Sequence, residues 1–347
     1  MKYRIDFKRL LLVILTLIIG AVLLRLCFSS CSKSAAPEAE DTMAPTMIPI
    51  EVSFERIEGE PVAETEGPTA TPQADSEITV YNHRTDELIK MPLETYIERV
   101  VSAEMPASFD LEALKAQAVA ARTFSCYCIL HRGCGSNEEA DICTNSQCCQ
   151  AYTEEVSERV CEAVQATCGE VMLYDGEVIE ALFHASSGGS TEDSENVFSA
   201  ARPYLRAVAS LNEVGSRQQG EVRLSLSDLI KKVNSAYPNA NLKVKNLIEQ
   251  VGIESRFESG RVETLRIGET TITGKQARKL FSLDSTMFEI MFTDEEIVFT
   301  TKGFGHGVGM SQSGANGMAQ SGSDYIEILL HYYTGVTVSE YTLPQER

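Results

Sequence analysis

Residues 10–24 read LLLVILTLIIGAVLL, an unbroken run of apolar, Gly and Thr residues, and this run divides the chain before any other pattern is considered. Leu26, Cys27 and Phe28 extend it past the single charge of Arg25 to about the length of a short membrane-spanning helix. Lys2, Arg4, Lys8 and Arg9 stand before it, whereas the segment beyond Cys31 is acidic. The positive-inside asymmetry therefore puts the N-terminus in the cytoplasm and the rest of the chain outside. Cleavage as a signal peptide after the small Ser29 and Ser30, or lipidation at Cys31, would fit the same flanks. The length of the apolar core favours an uncleaved anchor.

After the anchor the chain turns polar. Residues 29–76 are rich in Pro, Glu, Ala and Thr and carry few large apolar side chains, so they cannot bury a core and read as a disordered acidic linker. As a flexible coil of about 45 residues it would average roughly 40 Å from end to end. Folded patterning begins at ITVY, 78–81, and continues nearly to the C-terminus. The expected organisation is a cytoplasmic stub and transmembrane anchor over 1–28, the linker over 29–76, and an extracytoplasmic body over 77–347. That body of about 270 residues is large for a single core. The formal charge of −20 argues against a nucleic-acid partner, whose phosphates need clustered Lys and Arg.

Within the body, Pro92 opens a helix whose Leu93, Tyr96, Ile97, Val100 and Val101 share one face, and the Met105-Pro106 step ends it. A second helix starts near Asp110, with Asp110 and Glu112 suited to its positive N-terminal end. Residues 170–183 read as a β-hairpin around Asp175-Gly176, followed by the Ser/Gly loop 186–190. Residues 222–300 mix short strands with helices starting near Ser227 and at Gly274, which suggests a second lobe. A strand, EEIVFTT, then runs into the loop GFGHGVG, 303–309, and two further helices. The expected fold is α+β, with a helical core, short strands and a second lobe, preceded by one transmembrane helix.

Glu104 is the first candidate for chemistry. It continues the apolar face of the first helix as i+4 from Val100, at the negative end of the helix. Burial and the dipole both disfavour its anion, and the raised pKa that follows suits a general acid. Lys115 and Arg122 share a face of the second helix and are candidates for orienting a substrate, against the plainer reading of a solvated helix face. The glycines of 303–309 alternate as GxGxGxG, matching no phosphate-binding pattern, and imply close backbone approach around His306 or a substrate. His184 could face the same cleft, whereas His331 and His83 read as unremarkable. Cys134, Cys143, Cys148 and Cys149, with His131 nearby, are enough for one tetrahedral zinc, although adjacent ligands strain a single site and leave a disulfide or a mixed Cys/His set open.

Four ordered motifs together resemble the stage II sporulation protein D family. They are VSAEMP at 101–106, LKAQAVAART at 114–123, FHASSGGS at 183–190 with Glu192 and Glu195, and GHGVGMSQ at 305–312 followed by GANGM at 314–318. The resemblance spans about 78–338, and the N-terminal anchor fits it. It implies a peptidoglycan lytic transglycosylase that cuts between N-acetylmuramic acid and N-acetylglucosamine and leaves a 1,6-anhydro end. It implies Glu104 as the catalytic acid and Lys115, Arg122 and Tyr204 as positions needed for activity. Ser187, Gly188 and His306 complete the expected substrate-binding set.

The resemblance also implies a zinc site bound by two cysteines and two histidines, and the thiolate-rich loop points to a structural role with no part in the chemistry. Cys143 and Cys149 match those cysteines, but Cys148 stands where a histidine is expected, which leaves Cys134 or His131 as the fourth ligand. The implied setting is septal wall remodelling and engulfment during sporulation, from the mother-cell membrane facing the forespore. The implied partners are glycan stripped of stem peptides and stage II sporulation proteins P, an amidase, and M. A non-catalytic activator of a wall amidase is the alternative. A zinc hydrolase is disfavoured, because a saturated thiolate site has no open coordination position.

Overall fold

The computed structural model describes residues 76–214 and 218–344. The anchor expected over 1–28 and all but the end of the linker expected over 29–76 lie outside the described residues. Among those described, no helix is long and apolar enough to cross a membrane.

The body opens with a hairpin, β1 (Glu77–Asn82) and β2 (Glu87–Pro92), paired antiparallel along its whole length. Pro92 caps α1 (Leu93–Glu104), its fixed φ of −58° leading into the first turn. The buried face of α1 is Leu93, Tyr96, Ile97, Val100 and Val101, as the periodicity predicts, and Met105 before Pro106 is extended and ends the helix. Next comes α2 (Leu111–Tyr127), where the Asp110 carboxylate accepts from Glu112 N at 3.1 Å. This helix is buried nearly all round, and its alanines 113, 116, 118, 120 and 121 let neighbours approach closely. A π-helical turn, Cys128–Arg132, leads into the cysteine loop, where β3 (Ile142–Cys143) runs parallel to β1.

Beyond the loop stand α3 (Glu158–Ala166), β4 (Glu170–Tyr174) and β5 (Glu177–Val178). Asp175 and Gly176 join β4 to β5 with φ of 50° and 83°, the pair of left-handed residues a tight hairpin needs. The second hairpin strand was expected to run to Phe183, but β5 ends at Val178. The chain leaves the sheet, and β6 (Phe183–His184) pairs instead in parallel with β13 (Met310–Ser311). Pairing with the distant β13 thus outcompetes continuation of the local hairpin.

A short helix, α4 (Ser194–Phe198), precedes the second lobe. This contains β7 (Gln219–Ser225), α5 (Leu226–Ala236), α6 (Leu247–Gln250), β8 (Val251–Arg256), β9 (Val262–Ile267), β10 (Thr270–Thr273), α7 (Gly274–Phe281), β11 (Phe288–Phe292) and β12 (Glu296–Lys302). They form two antiparallel sheets, in the orders β10-β9-β8 and β11-β12-β7. Leu229, Val233, Leu265, Phe281, Phe288 and Phe299 lie in an apolar core of its own, with Phe281 stacked on Phe299 at 4.6 Å. The chain then returns to the first lobe as β13, α8 (Gln312–Gln320), α9 (Tyr325–Tyr332) and β14 (Thr337–Glu340). Helices α1, α3, α8 and α9 and strand β4 all pack on α2, which makes it the axis of the first core.

Candidate active site

A cleft of about 550 Å³ opens at the C-terminal end of α1. Glu104 and Met105 form one side, Phe183, His184 and Ala185 a second, Phe304, Gly305 and His306 a third, and Gln312 and Ser313 a fourth. Phe109, Phe183 and Phe304 are partly exposed and give it aromatic walls between a few polar groups, a lining suited to an organic ligand.

Glu104 is the last residue of α1 and the single carboxyl among the described residues lining this cleft. Its Oε1 accepts the Ala151 N–H at 2.9 Å. Burial raises its pKa above the ordinary carboxyl value, and the hydrogen bonds from Ala151 and the Gln312 side chain offset that rise only in part. The sequence argument foresaw the direction. A half-buried acid that holds its proton more tightly than an exposed carboxyl can deliver it to a leaving oxygen and then take one back.

His184 and His306 stand with ring centroids 5.4 Å apart. His184 Nδ1 lies 3.2 Å from the Val308 carbonyl, and His306 Nδ1 accepts the Val308 N–H at 3.1 Å. Burial depresses both; the neighbouring His306 pushes His184 further down, while Arg278 and Arg261 help lower His306 to about 4. Both imidazoles are therefore neutral at physiological pH.

The other expected substrate-binding residues lie elsewhere. Arg122 is 1% exposed, with Nε 2.7 Å from Glu94 Oε1 and Nη2 2.6 Å from Oε2. Its Nη1 and Nη2 also reach the carbonyls of Glu170 and Val164 at 3.1 Å and 3.4 Å. The guanidinium is used up in bracing α1, α2, α3 and β4, and it does not line the cleft. Lys115 pairs with Glu112 at 2.7 Å and sits over the Tyr325 ring, also away from the lining. Tyr204 is buried and its hydroxyl accepts the Glu180 N–H at 3.2 Å. Ser187 and Gly188 turn toward a carboxylate instead of the cleft. Of the predicted substrate-binding residues, His306 alone joins Glu104 in the lining.

The carboxylate that holds Ser187 and Gly188 belongs to Glu213, which sequence reasoning missed. It accepts from Ser186 Oγ at 2.7 Å, Ser187 N at 2.8 Å, Ser187 Oγ at 2.7 Å, Gly188 N at 3.0 Å, Ser210 Oγ at 3.0 Å and Ser311 Oγ at 2.6 Å. Burial pushes its pKa up, but the donated bonds outweigh burial and the net shift is downward. The same loop is held from the second lobe by Arg261, whose Nη2 donates to Ser187 O at 2.7 Å. Gly307 makes room for that guanidinium: its φ is +87°, and a Cβ there would come within 2.3 Å of Arg261 Cζ. The alternating glycines thus serve close approach by the protein itself.

The sulfurs of Cys134, Cys143, Cys148 and Cys149 all lie within 4.8 Å of one another, with Cys143 to Cys149 at 3.5 Å and Cys149 to Cys148 at 3.6 Å. A tetrahedral zinc with Zn–S bonds of ≈ 2.3 Å separates its sulfurs by about 3.8 Å, so the donor set and its spacing fit that ion. The adjacent pair is brought to one side by a turn in which Cys148 N and Cys149 N both reach Asn145 O. His131 is exposed and packs its ring against Tyr127, centroids 4.7 Å apart, so Cys134 is the fourth member of the cluster.

These features define a class: a two-lobed α+β protein with one buried acid of raised pKa in an aromatic-walled cleft and a four-cysteine loop beside it. A family model described as Stage II sporulation protein matches residues 81–174, and one described as a domain of unknown function matches 218–309, the region of the second lobe. Stage II sporulation protein D of Bacillus amyloliquefaciens is 33% identical over 80% of this chain and 83% of its own. That of Bacillus subtilis (strain 168) is 31% identical over 76% of this chain and 79% of its own. The Amidase enhancer of Bacillus subtilis (strain 168) is 30% identical over 71% of this chain and 40% of its own length. The chain belongs to the stage II sporulation protein D family.

Proposed function

We propose that the chain is a lytic transglycosylase of peptidoglycan and that Glu104 carries the reaction. The supporting observation is the single carboxyl in the cleft, held toward its protonated form by burial. Hydrolytic glycosidases pair two carboxyl groups, one of them to activate water or attack the sugar. With one acid, the nucleophile has to come from the substrate. Protonated Glu104 gives its proton to the oxygen between N-acetylmuramic acid and N-acetylglucosamine as the C1–O bond breaks. The muramic 6-hydroxyl oxygen closes on C1, and its proton passes to the Glu104 carboxylate. One bond forms, one breaks, the acid is restored and no water is consumed.

On this reading the anchor holds the body against the wall outside a membrane, the mother-cell membrane facing the forespore, during septal remodelling and engulfment. Glycan freed of stem peptides is the substrate, with the amidase stage II sporulation protein P and its companion M as partners. A zinc held by the four cysteines supplies a structural crosslink; the residues that move protons lie in the cleft. The similarity to an amidase enhancer supports a second reading, a glycan-binding activator that does not cut.

Digestion of peptide-free glycan by the purified full-length chain, read by mass spectrometry, separates the two. The transglycosylase produces 1,6-anhydromuramic ends, and Glu104→Gln lowers the rate at least 10²-fold, at the scale of a lost general acid. Absence of such ends, with stimulation of an added amidase by wild type and variant alike, would establish the second reading. Cutting that survives Glu104→Gln would remove the mechanism.

A further inference from the structure

Glu213 holds more donors than any ordinary surface carboxylate can attract. Two oxygens offer about four lone-pair sites, and six hydrogen bonds converge on them from three separated segments, 186–188, Ser210 and Ser311. Two of these segments, 186–188 and Ser311, lead to the cleft. Ala185 and His184, just before Ser186, form one wall, and Ser186 exchanges backbone hydrogen bonds with Phe304 of the next, at 3.1 Å and 2.8 Å. Ser311 caps α8 through Gly314 N at 3.2 Å and immediately precedes Gln312, which lines the cleft with Glu104 and whose Nε2 donates to Gln117 Oε1 at 3.3 Å. Ser313 N closes the circuit on Ala185 O at 3.0 Å.

We propose that Glu213 is the positioning residue of the cleft: its carboxylate locks 186–188 to Ser311, so that Gln312 keeps its place beside Glu104 in the lining and the aromatic walls hold the glycan between them. The inference deepens the transglycosylase reading and rests on it. Glu213 touches neither substrate nor Glu104. Its effect travels through Ser311 to Gln312 and through Ser186 to Phe304. An uncharged amide of the same shape cannot do this work. It presents an NH₂ group to N–H donors fixed in the backbone of Ser187 and Gly188, so one of its two ends must be repelled.

The test is Glu213→Gln in the full-length chain, with thermal melting to count folded molecules and two readouts that folding alone does not move. The first is turnover against pH on peptide-free glycan. Gln312 lowers the Glu104 pKa from its place in the lining, so its displacement shifts the alkaline limb upward while kcat per folded molecule falls about 10²-fold, the scale of a misplacement near 1 Å. The second is the Glu104 carboxyl titration itself, followed by NMR with ¹³C-labelled glutamate and assigned with Glu104→Gln. It moves upward in Glu213→Gln whether or not the chain turns glycan over. An unmoved Glu104 titration, or an unchanged pH limb with full kcat per folded molecule, overturns the proposal. Failure of the wild type to cut overturns the transglycosylase reading separately. Should Glu213→Gln not fold, Ser311→Ala removes one donor, keeps the carboxylate, and shifts the same titration in the same direction by a smaller amount.

Discussion

At the scale of single residues, buried polar groups set the chemistry and much of the stability of this protein. Arg122 and Glu94 form a bidentate pair whose arginine is almost wholly buried, and either partner alone would leave an uncompensated charge. Arg122→Met is expected to lower unfolding stability by about 3 kcal/mol or more, and pairing it with Glu94→Gln should recover part of the loss in a denaturant double-mutant cycle. His306 carries a pH dependence of definite sign. Its folded pKa of about 4 lies below the ordinary 6.5, so between these values the unfolded chain takes up a proton that the folded chain refuses. Stability is therefore full above pH 6.5 and falls as pH drops toward 4, by about 3 kcal/mol from this group. Urea melts across that range should show a shallower decline in His306→Gln than in wild type.

Glu104 and the cysteine cluster were legible in the sequence for local reasons. Glu104 sits at helical spacing from a run of buried residues, and thiols crowded into a short loop have few other uses. Glu213 was illegible because its donors lie up to 98 positions away and nothing beside it in SLNEVGS marks an anion site. The burial of Arg122 was illegible because a cation on a helix is ordinarily a surface residue, and its partner Glu94 lies on a different helix.

At the scale of elements, the glycine-rich segment 303–309 shows how backbone shape admits a neighbouring side chain. Gly307→Ala would force a Cβ into the Arg261 guanidinium in addition to straining a positive φ. Gly176→Ala, in the β4–β5 turn, imposes the positive φ with nothing within 4 Å of the new atom. Thermal melts should separate the two effects: about 1 kcal/mol for Gly176→Ala, the strain of a left-handed non-glycine residue, and distinctly more for Gly307→Ala. Helix α1 was readable from sequence in both its ends and its face. The hairpin was readable only as far as its turn, because the partner that captures Phe183 and His184 lies in β13, and local alternation says nothing about it.

At the scale of the whole molecule, two apolar cores share one compact unit, and Arg261 is a named contact between them. Its burial lowers its pKa to about 10, a sign of how little solvent reaches the junction. Arg261→Ala is expected to weaken the coupling, so that calorimetry of the full-length chain resolves two transitions where the wild type gives one. The second lobe was expected from its mixture of short strands and helices. That it sends an arginine behind the cleft of the first lobe could not be read from any window of sequence.

The cysteine loop runs along α1 and holds it near both of its ends. The Tyr96 hydroxyl donates to the Cys143 carbonyl at 3.0 Å, and the N–H that holds Glu104 belongs to Ala151, two residues beyond Cys149. The thiol cluster and the acid therefore share a lever arm: a displacement of one end is a displacement of the other. Oxidation of those sulfurs would reach Glu104 without anything entering the cleft.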